Sequence, residues 1–173
     1  VLSNMRRHIN ADETRRLLER IRREVPGIHI RTTMMVGFPG EDDSAFNRLI
    51  EFVKEQRFER LGAFAYCEEE DTFAAKNFED AIPDEVKQSR LEQLMAVQEE
   101  IATEVAASEI GKTLRVIIDE FDDNMQCWIG RTEFDSPEVD CNVFVSSENE
   151  LEVGAIYDVE ITGSEGFDLY GTV

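Results

Sequence analysis

The chain has 173 residues, is 42% hydrophobic and 9% aromatic, and carries 38 acidic against 18 basic side chains, a formal charge of −20. That apolar content in that length supports one large or two small packed domains and excludes disorder of the whole chain. The charge argues against non-specific nucleic-acid binding and anionic membranes, and no apolar run approaches the roughly 18 residues of a spanning helix.

Residues 1–7, Val-Leu-Ser-Asn-Met-Arg-Arg, have neither a signal-peptide pattern nor a natural start and are expected to be the interior of a longer chain. Asn10 is placed to cap the amide of Glu13 while Glu13 reaches back, a capping box that opens a helix. Thr14, Leu17, Leu18, Ile21 and Val25 fall on one face of that helix, and Pro26-Gly27 ends it. Residues 28–36 read as a strand, with Ile28, Ile30, Thr32, Met34 and Val36 on one side and His29, Arg31, Thr33 and Met35 on the other. In Phe38-Pro39-Gly40-Glu41, Pro and Gly occupy the central positions of a type II turn. Asp42 and Asp43 then place negative charge at the start of a helix striped by Phe46, Leu49, Ile50 and Val53. Residues 60–66 read as a second buried strand. Helix, strand, helix, strand with short loops is the rhythm of a parallel α/β unit. Two strands close neither a sheet nor a barrel, so further strands are expected before Val1.

Residues 67–82 are polar and read as irregular. Pro83-Asp84-Glu85 opens a long helix with one packing seam at Leu91, Leu94, Gln98, Ile101 and Val105, and Gly111 is its expected stop. The period then changes from 3.6 to 2, with strands expected in residues 114–118, 125–132, 142–146, 157–162 and 168–173. Turns are expected at Asp122-Asp123-Asn124 and Gly163-Ser164-Glu165-Gly166. Five short strands in so few residues predict a small antiparallel β-barrel of the OB type. The expected domains are therefore 1–108, an α/β part with the long helix, and 109–173, the barrel.

Charge divides along the same line. Residues 1–31 hold eight arginines against four acids, whereas residues 109–173 hold sixteen acids against Lys112, Arg115 and Arg131, a net −13. Opposite electrostatics suggest two modules with different tasks, although an acidic surface also serves solubility alone.

Val36-Gly37-Phe38-Pro39-Gly40-Glu41 is the strongest local signal, because ligands of parallel α/β folds sit at the carboxyl ends of strands. An ordinary strand-to-helix loop is the plain alternative. Cys67, Cys127 and Cys141 have no metal-ligand spacing and no histidine near them, so no metal site is expected; so sparse a set suits a reducing cytoplasm. His8 and His29 are isolated, and no catalytic residues can be assembled.

Met5-Arg6-Arg7, and Ile30-Arg31-Thr32-Thr33 running into Val36-Gly37-Phe38-Pro39-Gly40-Glu41, resemble the later half of a radical S-adenosylmethionine methylthiotransferase. Tyr66-Cys67-Glu68-Glu69-Glu70-Asp71-Thr72 resembles the family's Tyr-Ser-x-x-x-Gly-Thr segment after the sixth barrel strand, with Cys67 for Ser and Asp71 for Gly. Losing that glycine is expected to alter the local turn. Gly130 to Asp140, through Ser136-Pro137-Glu138-Val139-Asp140, resembles the family's C-terminal TRAM domain in the acidic form of its RimO branch.

The resemblance implies that 1–108 is the last part of a radical SAM (β/α) barrel, holding its fifth and sixth strands, and that 109–173 is the TRAM barrel. It implies a reaction in which a 5′-deoxyadenosyl radical takes hydrogen from the β-carbon of an aspartate on a basic small-subunit ribosomal protein. The cofactors implied are S-adenosylmethionine and two 4Fe–4S clusters. None of the six cluster cysteines lies in this chain, which alone is expected to be inert, without bound cofactor. Cofactor contacts are expected from Arg31, Thr33, Val36, Gly37, Phe38 and Tyr66, although Arg31 facing a missing acid and Tyr66 packing in the core are alternatives. Glu133, Asp135, Glu138 and Asp140 are expected to dock the basic protein, or else form a solubilising loop around Pro137. The sister branch methylthiolates tRNA adenosine, but a tRNA-gripping domain needs a basic face and residues 109–173 have the opposite sign. A non-catalytic binding module is the remaining alternative.

Overall fold

In the computed structural model, which describes all 173 residues, the capping box closes. Asn10 Oδ1 accepts the Glu13 amide at 2.9 Å, and the Glu13 carboxylate accepts the Asn10 amide at 2.9 Å, opening α1, Ala11–Glu24. Of its expected stripe only Leu18 is buried, while Leu17 and Val25 are 46% and 50% exposed. Strands β1, Arg31–Val36, and β2, Arg60–Ala65, pair in parallel from Arg31 opposite Arg60 to Val36 opposite Ala65. Between them lies α2, Asp43–Gln56, capped by Asp42 on the Ala45 amide at 2.7 Å. Thus the helix–strand–helix–strand rhythm is present, but β1 begins three residues later than expected. The Ile30 amide donates to the Glu59 carboxylate at 2.8 Å, so a side chain takes the place of a ladder partner there.

Residues 67–82 are not wholly irregular. Thr72 caps a short helix α3, Phe73–Asn77, its hydroxyl accepting the Ala75 amide. The long helix α4 spans Asp84–Ala107. Its buried side chains up to Ile101 are Lys87, Arg90, Leu94, Gln98 and Ile101, so the apolar seam is continued at its start by two cations.

Two units are distinguished by their internal contacts, Val1–Ile101 and Ala102–Val173. The second is a closed barrel built from β3, Thr113–Asp122; β4, Cys127–Thr132; β5, Val143–Ser146; β6, Ile156–Glu165; and β7, Asp168–Thr172. Strand order around it is β3-β4-β5-β7-β6, the Greek-key order of an OB-type barrel. It is not purely antiparallel, because β5 and β7 run parallel from Val143 opposite Leu169 to Ser146 opposite Thr172. Period-two burial makes the core: Val116 and Ile118, Val143 and Val145, Val159 and Ile161 are at most 1% exposed. Each such side chain stabilises the fold by about 1.5–3 kcal/mol. Gly163 lies at a register shift within β6, and the turn falls later, at Gly166 and Phe167; β6 therefore runs through the residues expected to turn. No helix is long and apolar enough to cross a membrane.

Candidate functional site

The loop after β1 is held by its own residues and by α4. Glu41 donates its amide to the Phe38 carbonyl at 2.9 Å and Gly40 has φ +86°, as a type II turn requires. The Glu41 side chain folds back to accept the Gly37 amide at 2.9 Å. Arg90 donates to the same carboxylate at 2.9 Å, to the Glu41 carbonyl at 3.1 Å and to Asp43 at 2.7 Å. Glu41 and Arg90 are both buried, and Arg90 is the cation that balances the Glu41 carboxylate there. Gly37, with φ +73°, leaves room for the stem of Lys87; a Cβ there would stand 2.4 Å from Lys87 Cγ. Lys87 Nζ reaches Asp80 at 2.6 Å and Asp84 at 3.2 Å. Burial works against its charge, but the two carboxylates outweigh this and raise its pKa.

A cavity of about 410 Å³ opens beside this loop, at the carboxyl ends of β1 and β2. Its walls include Met35, Phe38, Phe64, Tyr66, Cys67 and Phe73, with residues 4–7 at one side. Phe38 stands edge-on to Tyr66 at 5.2 Å and to Phe78 at 6.2 Å, and the Arg6 guanidinium lies 3.7 Å above the Phe73 ring. The Tyr66 hydroxyl is buried without a hydrogen-bond partner. Burial raises its pKa, Glu68 and Asp80 add to the effect, and Lys87 opposes it. The phenol is therefore a neutral donor that lacks a partner and is sealed from solvent, with its residue in the cavity wall.

Phe38 and Tyr66 are thus brought together in the cavity wall. Gly37 shapes the loop behind them, and Val36 is fully buried. Arg31 and Thr33 are exposed on the sheet face that also carries Met35 and Phe64, but nearer the start of β1, and they do not line the cavity. In the second unit, residues 133–140 follow β4. Asp135 accepts the Thr132 hydroxyl at 2.6 Å and Asp140 accepts the Ser136 amide at 2.7 Å, so two of the four carboxylates fold the loop. Glu133 and Glu138 are exposed. Cys67 is exposed, Cys127 half-buried and Cys141 buried. No group of three His, Cys, Asp or Glu side chains is arranged to hold a metal ion.

Residues 110–173 match the TRAM domain family. The whole chain is 55% identical to the ribosomal protein uS12 methylthiotransferase RimO of Phocaeicola vulgatus, covering 40% of that protein. It is 52% identical to RimO of Bacteroides fragilis and 46% identical to RimO of Desulfitobacterium hafniense, covering 40% and 38% of them. Along its whole length the chain is similar to one part of the RimO proteins. It spans about 40% of the length of the curated relatives it matches.

Asp71, at the position where the resemblance has glycine, adopts a left-handed φ of +64°. Aspartate is among the few side chains that tolerate this region, and its carboxylate is engaged by Lys76 at 2.8 Å. Sequence reasoning missed Glu41, Lys87 and Arg90. The signal was present: Lys87 and Arg90 continue the α4 seam at helical spacing, but a cation on an apolar face reads as its end unless its partner, up to 49 positions away, is known.

Proposed function

We propose that this chain belongs to a methylthiotransferase that adds a methylthio group to the β-carbon of an aspartate on ribosomal protein uS12. The observation that carries this is identity of 46–55% along the whole chain to proteins named for action on uS12. In this reading residues 1–108 are the last part of a radical SAM barrel and 109–173 a TRAM module that recruits the basic substrate.

The cavity suits the adenosyl part of S-adenosylmethionine. Phe38, Phe64 and Phe73 offer ring faces and edges, and the orphaned Tyr66 hydroxyl offers one directional hydrogen bond. When bound, that cofactor supplies the radical chemistry needed by a C–H bond too weakly acidic for a side-chain base. This chain's residues hold and orient: Tyr66 donates, Phe38 stacks, and Glu41 with Arg90 keeps the loop in place. Arg31 and Thr33, on the same sheet face as Met35 but further from the cavity, would meet a ligand only where it extends along that face. The three cysteines do not fit an iron–sulfur cluster, so no step is routed through one. The chain alone is accordingly expected to retain far less than one cluster after reconstitution with iron and sulfide; a stoichiometric cluster surviving desalting would refute that.

Recruitment of a basic protein rests on charge, since residues 109–173 carry sixteen acids against three cations, the wrong sign for gripping tRNA. Glu133 and Glu138 would steer the partner, while Asp135 and Asp140 keep their loop folded. The test is expression of the complete gene in a bacterium lacking this modification, followed by mass spectrometry of uS12 and of tRNA nucleosides. uS12 should gain one methylthio group at an aspartate and tRNA none; the reverse would move the chain to the sister branch.

A further inference from the structure

Burial alternates along the barrel strands, and what alternates outward on three of them forms one patch. Val143 and Val145 point into the core, so Phe144 points out; Leu169 and Gly171 are buried, so Tyr170 points out. Register places Ile129 of β4 opposite Phe144 of β5, and Phe144 opposite Tyr170 of β7. The Phe144 and Tyr170 rings are stacked, 5.3 Å between centroids and 27° between planes. Two hairpins of this barrel display apolar side chains to solvent. Met125 in the β3–β4 turn is 52% exposed, with Phe121 beside it at 40%, and Phe167 in the β6–β7 turn is 50% exposed. Cys127, at the foot of the first hairpin, lies two residues before Ile129 on the same strand and the same face. An outward sheet face on β4 and β5 with the hairpins beside it is the surface on which OB-type barrels take extended ligands.

Its charge decides which ligand. Single-stranded nucleic acid stacks on aromatic platforms of this kind, but only where cations neutralise its backbone. Here the cations are missing. From Val116 to Val173 the only Lys or Arg is Arg131, which is paired with Asp119. Carboxylates stand in their place: Asp123 and Glu165 are exposed at the two hairpins, and Glu165 accepts the Tyr170 hydroxyl at 3.1 Å. A flat aromatic pair bordered by carboxylates is a site for guanidinium, which stacks on rings and forks onto carboxylates.

We infer that the outer face formed by Ile129, Phe144 and Tyr170, with Glu165 on the Tyr170 hydroxyl and Asp123 in the turn that leads into β4, docks an extended arginine-bearing segment of a basic protein. The inference rests on the proposed reading of the chain as part of a uS12 methylthiotransferase, and it moves the main contact from the loop 133–140 to the sheet. Arginine is favoured over lysine, because the planar guanidinium both stacks on a ring face and forks onto a carboxylate.

The test titrates the 173-residue chain with uS12, with a synthetic arginine-rich peptide, with the same peptide carrying lysine throughout, and with tRNA. Phe144→Ala and Tyr170→Ala should each weaken uS12 and arginine-peptide binding about tenfold, whereas Tyr170→Phe, which keeps the ring, should leave it within about twofold. The unaltered chain should prefer the arginine peptide several-fold over the lysine peptide, and both alanine variants should lose that preference. Amide chemical shifts of the unaltered chain give a readout that does not depend on variants folding: the arginine peptide should move Ile129, Phe144 and Tyr170. Equal binding of both peptides, a footprint confined to residues 133–140, self-association through the ring face, or tighter binding of tRNA would overturn the assignment. uS12 binding unaffected by the ring variants would refute the surface and leave the proposed function standing; an arginine peptide seated on the rings with no affinity for uS12 would do the opposite.

Discussion

Glu41 and Arg90 show how a buried ion pair is used as a fastener. Their side chains are 4% and 7% exposed, and Glu41 also accepts the Gly37 amide, so the pair joins α4 to the loop that walls the cavity. Removing one partner of such a pair costs about 3–5 kcal/mol because the other charge remains buried, whereas replacing both by apolar residues is far milder. Arg90→Leu should therefore lower the stability of the first unit by about 3 kcal/mol in urea titration, and Arg90→Leu with Glu41→Leu should recover much of that. A single variant costing no more than the double would show that the charge is not what matters. Two further groups set opposite pH limits. Glu59 feels burial pushing its pKa up, but Arg22 at 2.6 Å and the Ile30 amide prevail and the net shift is downward. Its contribution is complete above the ordinary glutamate value of 4.5 and is lost as pH falls through the lowered value. Lys87 is raised, so its contribution is complete below the ordinary lysine value of 10.5 and is lost as pH rises through the raised one. Glu59→Gln should flatten the acid limb of a stability–pH curve and Lys87→Met the alkaline limb; unchanged limbs would show that other groups govern them.

At the level of elements, legibility followed how local the governing interaction is. The capping box and the type II turn each lie within a few residues and were readable from spacing, whereas Asp42, read only as charge at a helix start, also caps that helix. The inward positions of the barrel were readable too, because alternation in Val116 and Ile118 or Val143 and Val145 is a one-strand property. What escaped depends on partners far along the chain. The start of β1 is set by Glu59, the parallel pairing of β5 with β7 by closure of the whole barrel, and the burial of Lys87 and Arg90 by acids on other elements. The cavity was half legible: Phe38 and Tyr66 end the two strands, but Phe73 enters on a helix seeded by Thr72 in a stretch that reads as loop. The α1 stripe failed in an informative way, since its periodicity is real yet Leu17 and Val25 face solvent. With only Leu18 buried, α1 is held by its cap and by Arg22, which donates to Glu59 at 2.6 Å and to the Gln56 carbonyl at 3.0 Å. Asn10→Ala should cost about 1 kcal/mol and appear as faster amide exchange confined to α1, with little change in cooperative unfolding. A loss shared evenly by β1 and β2 would mean that α1 is integral to their packing.

For the whole molecule, the two units differ in how completely each satisfies its own sheet. In the barrel every strand has two neighbours, so no edge is exposed, and its core residues are essentially sealed from water. The other sheet has two strands, hence two open edges, and one face on which Arg31, Thr33 and Phe64 are exposed. A two-stranded sheet draws its stability from what packs on it. Here that is one face, through the fully buried Val36 and Val53. Opening free energies should therefore divide along the unit boundary. Amide exchange should be slowest at Val116, Ile118, Val143, Val145, Val159 and Ile161, and faster at Met34, Val36 and Leu61, with two separate transitions in urea. Equal protection in the two sets would mean that the two-stranded sheet is as self-sufficient as the barrel, and would remove the structural reason for expecting further strands beside it. If the expected order is found, a longer protein that supplies those strands should slow exchange at Met34 and Val36 and leave Val116 and Val159 where they were, because a closed barrel has no edge left to complete.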